Sequence, residues 1–239
     1  MTFFVTDKPT PVLNTPCFSD VYSGALPFDD QHLVRALEYI AFPKRTFKVV
    51  NEVEPNILHV TTSEYPSSGS LFVDRRFGKT HIEETPLFQH EMPSEEVLTQ
   101  RLLSKQGLPY VWGGNWSTGI PEWECFYPLP AQISKFERAH WSFMGLDCSG
   151  LLYEATEGLT PRNTKELMTY GAEVSFTETQ ALDLILYPGH VLIILSPDEV
   201  IESSHWLGGV VVSSLEERVG MIRSPLIVRR FFQTRQDNA

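Results

Sequence analysis

Apolar positions in the first 88 residues fall in short runs, Phe47–Val50, Ile57–Thr61 and Ser70–Asp74, separated by Pro, Gly and Ser clusters. Runs of β-branched and aromatic residues bounded by turn signals predict short strands of a small barrel or sandwich. Residues 29–41 carry a helix-like spacing that predicts a helical turn or two within it. Thr85 to Pro93, with two prolines, reads as a connection, and the boundary is set as a linker over 89–96.

Beyond it the period is helical. Pro93-Ser94-Glu95-Glu96 supplies an N-cap and acids for the positive helix end, Leu98 and Leu102 share a face, and Gly107 ends the helix. Cys148–Glu157 and Thr164–Tyr170 predict two further helices. The pattern then becomes that of strands, over Leu182–Tyr187, His190–Leu195, Glu199–Ser203, Gly209–Ser213 and Leu226–Phe232. Helices followed by strands joined through tight turns imply an α+β domain with an antiparallel sheet. The division is therefore a β domain over 1–88 and an α+β domain over 97–239, whose residues 115–146 form an aromatic and Pro-rich insert.

Composition narrows the function. With 42% hydrophobic and 21% charged residues the chain is of the folded class. Nineteen basic against 30 acidic residues give a net charge of −11, which disfavours nucleic acid or an anionic membrane surface as partner. No stretch reaches the roughly 20 apolar residues of a membrane helix, and the first residues lack the pattern of a secretory signal. A cytoplasmic location is the resulting expectation, with export by another route left open. Three cysteines, Cys17, Cys125 and Cys148, form neither a disulfide framework nor a C-x-x-C pair, so no metal and no cofactor is called for. Gly113, Gly114 and Gly119 flank no strand–helix phosphate pattern.

Cysteine chemistry is the remaining candidate. A cysteine attacks as the thiolate and needs a base within reach. Cys148 opens an apolar-periodic helix and is followed by the small residues Ser149 and Gly150. There its sulfur meets the positive end of the helix and free backbone N–H groups, which also serve a developing oxyanion. His190 follows the turn pair Pro188-Gly189 and begins an apolar strand, a rigid mounting for a general base. For Cys17 and Cys125 the plain reading is a buried structural thiol, as for most free cysteines, with a place near the site left open for Cys125 in the insert.

Gly107-Leu108-Pro109-Tyr110-Val111-Trp112-Gly113-Gly114, Asp147-Cys148-Ser149-Gly150-Leu151, Pro161-Arg162 with Thr164, and Leu182-Asp183-Leu184 before Gly189-His190-Val191 occur in that order. This ordered set resembles the NlpC/P60 cell-wall peptidases, and a cysteine on a helix start followed by a histidine on a later strand is the order of papain-like enzymes. The N-terminal part resembles, more faintly, the bacterial SH3-type domains that precede such catalytic domains, with Phe72–Phe77 as its closing strand.

The resemblance implies a cysteine endopeptidase acting on peptidoglycan stem peptides, commonly at the γ-D-glutamyl–diamino acid bond. It implies Tyr110 beside the nucleophile, near the oxyanion or substrate, and Asp147 and Ser149 on the substrate. Trp112 and Arg162 are counted with the substrate-binding residues, against plain readings as a core aromatic and a surface charge. Asp147 has its own plain reading as a helix cap. The chain departs from the family at the residue orienting the base, usually a histidine, asparagine or glutamine about twelve positions on. That count reaches Glu202, and a carboxylate can orient an imidazole and stabilise its cation. His205 is the alternate. Two rival functions accompany the peptidase reading: a non-hydrolytic binder of cell-wall peptides or of a protein partner, and a thiol acyltransferase or amidase on a related fold.

Overall fold

A computed structural model describes residues 1–83 and 91–232; part of the expected linker lies outside the described residues. In chain order the elements are β1 (Phe3–Thr6), β2 (Thr10–Leu13), α1 (Phe18–Val21), β3 (Leu37–Ala41), β4 (Thr46–Glu54), β5 (Ile57–Thr61), β6 (Leu71–Asp74) and β7 (Gly78–His81). There follow α2 (Glu95–Leu103), β8 (Asn115–Trp116), α3 (Pro121–Phe126), α4 (Lys135–Trp141), β9 (Gly145–Leu146), α5 (Cys148–Ala155) and α6 (Thr164–Leu167). The chain ends with β10 (Ala172–Val174), β11 (Leu184–Tyr187), β12 (His190–Ser196), β13 (Glu199–Ser204), β14 (Gly209–Ser214), α7 (Leu215–Met221) and β15 (Ile227–Arg230). Packing divides these into two compact units, Met1–Glu91 with Val111–Gly145, and Met92–Tyr110 with Leu146–Ala239.

In the first unit seven strands form one sheet in the order β3-β2-β6-β5-β4-β1-β7, every neighbouring pair antiparallel. The helical turns expected within 29–41 are absent. Asp29 folds back on the amides of Gln31 and Leu33, and Leu37–Ala41 is a strand. Pairing with β2 decides this, together with Asn115, whose side-chain amide bonds both the N–H and the C=O of Ile40 at 2.8 Å. Such tertiary partners override a local helical spacing.

Of the expected insert over 115–146, residues 115–145 group with the first unit, whereas Leu146 stays with the second. Trp123, Tyr127, Trp141 and Phe143 are buried in one cluster with Phe18, Tyr22, Leu37 and Phe77 of the first unit. Tyr22 meets Trp123, Trp141 and Phe143 edge-on, with ring centroids 4.9, 5.6 and 5.6 Å away. These large rings find their apolar partners among the N-terminal residues, so the segment completes that core. Cys125 goes with it. Cys17 and Cys125 are both exposed, correcting the buried expectation.

The second unit is the expected α+β arrangement. Six antiparallel strands run in the order β10-β15-β11-β12-β13-β14. The helix α5 lays Leu151, Leu152 and Ala155 against Val191, Ile193 and Ile201 of the sheet. The opposite face, with Leu192, Ile194 and Val200, is covered by Leu215 of α7 and partly by Val219. Burial on both faces explains why Val191–Leu195 is an unbroken apolar run. Gly209 opens β14 at φ +152°, where an added Cβ would lie 2.0 Å from Leu108 O, so only glycine lets the two backbones approach. No helix among the described residues is long and apolar enough to cross a membrane.

Candidate active site

The site grows from the start of α5. Asp147 caps the helix by accepting from the Gly150 amide at 2.6 Å. That turn of backbone presents Cys148, 6% exposed, with its sulfur 3.7 Å from Thr164 Oγ1 and 3.8 Å from Gly189 O. Gly189 belongs to the turn between β11 and β12, so the β-hairpin brings the next residue, His190, to the sulfur. His190 hydrogen-bonds Glu202 and lies near enough to Cys148 to feel the pull of its sulfur.

The bond to Glu202 uses Nε2 and measures 2.6 Å. An ionised carboxylate only accepts, so Nε2 donates and Nδ1 is the nitrogen left for the sulfur. His205, the alternate orienter, lies elsewhere: its ring packs edge-on against Tyr110 at 5.5 Å and against Trp206 at 5.6 Å. The count of twelve therefore leads to the residue that touches the imidazole.

Glu202 is wholly buried and meets a second cation. Arg218 donates through Nε to Oε1 and through a terminal nitrogen to Oε2 at 3.0 Å. Strand alternation explains the meeting. Glu202 shares a face of β13 with Val200, the face covered by α7, and Arg218 lies one turn beyond Leu215 on that helix. Neither Arg218 nor α7, which carries it, is among the sequence expectations. The available signal was Ser214 with Glu217 three residues on, the N-terminal signature of a helix. Burial works against the charge of Glu202, but the bonds from His190 and Arg218 outweigh it and hold the carboxyl below its usual range.

Burial also opposes a charge on His190. The bond to Glu202 and the pull of the neighbouring Cys148 overcome it and push the imidazole up to about 9. The folded state thus binds this proton more tightly than the unfolded chain. The resulting stabilisation is whole below about pH 6.5 and is lost as the pH rises through about 9. Denaturant midpoints should fall across that window in the wild type but stay level in His190→Gln. Parallel profiles for the two proteins would contradict the linkage.

The remaining expected residues divide. Arg162 is 3% exposed and spans Asp147 with contacts of 3.0 and 2.6 Å, while also donating to Ser149 Oγ at 2.9 Å. It is therefore neither a surface charge nor an open wall of the site, but a buried brace under the nucleophile turn. Asp147 and Ser149 spend their polar atoms on that brace and on the cap. Tyr110 bridges Leu146, two residues before the nucleophile, through a parallel backbone pair. Trp112 belongs to the first unit, where the guanidinium of Arg35 lies 4.0 Å from its ring centroid.

Comparison with known proteins agrees with the order of motifs. The family model described as NlpC/P60 family matches residues 107–228. The curated peptidoglycan endopeptidase RipB of Mycobacterium tuberculosis is 32% identical over 141 residues, covering 56% of this chain and 52% of that protein. The chain thus spans about half the length of the curated relative it matches. The solved structure of RipB, described as a peptidoglycan hydrolase, is 28% identical with a TM-score of 0.45, covering 59% of this chain and 65% of that one. RipD of the same organism, described as a non-catalytic NlpC/p60 domain protein adapted to peptidoglycan binding, is 24% identical with a TM-score of 0.41, covering 56% and 95%.

Proposed function

The chain belongs to the NlpC/P60 family, and from that premise we propose that its second unit is a cysteine endopeptidase of peptidoglycan stem peptides, cutting the γ-D-glutamyl–diamino acid bond. The observation that carries the reading is the 2.6 Å bond from His190 to the buried Glu202, set beside the Cys148 sulfur, which lies 3.8 Å from the carbonyl of the residue before that histidine.

In this mechanism the imidazole holds its proton near neutral pH, and the sulfur beside it attacks as the thiolate. A C–S bond forms at the glutamyl carbonyl, whose oxygen takes the negative charge. The amides at the start of α5 and the Tyr110 hydroxyl serve that oxyanion. As it collapses, the C–N bond breaks and His190 Nδ1 gives its proton to the departing diamino acid nitrogen. A water then enters, gives a proton back to His190 and attacks the thioester, releasing the γ-carboxylate and the thiolate. Glu202 keeps the imidazole aimed through both halves. The short antiparallel strands of the first unit support reading it as the SH3-like domain that accompanies such peptidases.

The test is an assay by mass on an L-Ala-γ-D-Glu–diamino acid tripeptide. Release of the free diamino acid is the expected result. Retained peptide binding without any release would replace hydrolysis by the binding function, and transfer to an added amine in preference to water would favour the acyltransferase.

A further inference from the structure

An imidazole that serves as acid and then as base must alternate between charged and neutral forms, and a buried carboxylate behind it feels both. With thiolate and imidazolium present, Glu202 and Arg218 complete two opposite pairs. Once the sulfur is acylated and the proton has left, Cys148 and His190 are both neutral. Glu202 then still faces Arg218. Counted with the substrate oxyanion while that exists, the four side chains sum to zero charge at each stage, whereas without Arg218 the sum would be minus one throughout. An anion buried without a cation is costly in a medium that solvates it poorly.

Geometry adds to the charge argument. The guanidinium is a rigid planar fork, and here it reaches both oxygens of Glu202. It therefore sets the rotation of the carboxylate, which aims Oε2 at His190 Nε2, 2.6 Å away. The charged groups that act on Glu202 are His190 from β12 and Arg218 from α7, and Tyr187 from β11 feels both Glu202 and Cys148. The Tyr187 hydroxyl accepts from Arg218 at 3.4 Å. Outside Arg218 lies a cavity of about 440 Å³ also lined by Glu217 and Arg223.

We propose that Arg218 is a positioning residue of the hydrolytic site, clamping the Glu202 carboxylate against His190 and balancing its charge throughout the cycle. The proposal rests on the reading of Cys148 and His190 as nucleophile and base. It is tested on the full chain without any peptide, by the pH profile of Cys148 alkylation with iodoacetamide. Peptide mapping by mass separates Cys148 from the exposed Cys17 and Cys125.

In Arg218→Met, Glu202 should take up a proton at mildly acidic pH and release its hold on the imidazole. Labelling at pH 5.5 should then fall about tenfold below wild type, with a much smaller change at pH 8. Arg218→Lys, which keeps the cation, should recover most of the loss. In a Glu202→Gln background Arg218→Met should cost less than about threefold, because the arginine acts through the carboxylate. A wild-type pH profile in Arg218→Met, or an equal loss in the Glu202→Gln background, would overturn the proposal. Should Arg218→Met fail to fold by circular dichroism, Arg218→Lys and the double variant decide the same question. Failure to cut the tripeptide leaves this result standing, whereas an inert Cys148 in the wild type would remove both readings.

Discussion

Replacing Cys148 by alanine should lower hydrolysis of the γ-D-Glu–diamino acid peptide by roughly 10⁴-fold or more. The loss is large because the other parts act through the sulfur. Without it His190 has no nucleophile to serve, and water must attack unassisted on the face that the thiolate occupied. The variant should keep its fold. Alanine is an excellent helix residue, and the sulfur's hydrogen bonds, to Thr164 Oγ1 at 3.7 Å and Gly189 O at 3.8 Å, are long and weak. Peptide affinity, measured by calorimetry, should therefore change by less than about threefold while turnover disappears. Undiminished cleavage by Cys148→Ala would sink the assignment of the nucleophile.

The second large effect is expected at Arg162, in stability before activity. Its side chain is 2% exposed and that of Asp147 11%, and the two are joined by a two-pronged pair. Arg162→Met keeps much of the volume but leaves the carboxylate buried with only the Gly150 amide and the Ser149 hydroxyl. Breaking one side of such a pair costs about 3 kcal/mol. Hydrogen exchange of the amides of α5 should accelerate by roughly a hundredfold, as 1.4 kcal/mol corresponds to each factor of ten. The double variant Asp147→Asn, Arg162→Met should recover part of the loss, since it no longer buries a lone charge. Exchange in Arg162→Met equal to wild type would show that Asp147 needs no cation there.

These two sites show how much of the chemistry was legible along the chain. Asp147-Cys148-Ser149 at the head of an apolar-periodic helix is local information, because capping and helix start depend on residues within one turn. His190 after Pro188-Gly189 is equally local, and the interval to Glu202 follows from one hairpin register. Arg162 was legible as a residue but not as a brace, since burial of a charge depends on what is folded over it. Arg218 was not legible at all without α7, although the Ser214–Glu217 spacing was there to be read.

The aromatic segment 115–146 illustrates the opposite limit. Its Trp and Tyr residues announce a core, but hydrophobic attraction is non-directional and does not say whose core it is. Only the fold assigns Trp123 and Trp141 to the cluster of Phe18 and Tyr22, and Asn115 to the edge of Leu37–Ala41. By itself, then, the sequence determined the α+β character of the second unit, the order of its motifs, and the cysteine and histidine proposed as nucleophile and base. These rest on periodicity, turns and caps, which act over a few residues. The tertiary structure decided the partners that lie far apart in sequence: the home of the aromatic segment, the burial of Arg162, the contact of His190 with Glu202 and not with His205, and the cation behind that carboxylate. Each of these depends on two surfaces meeting, and no local pattern encodes both sides of such a contact.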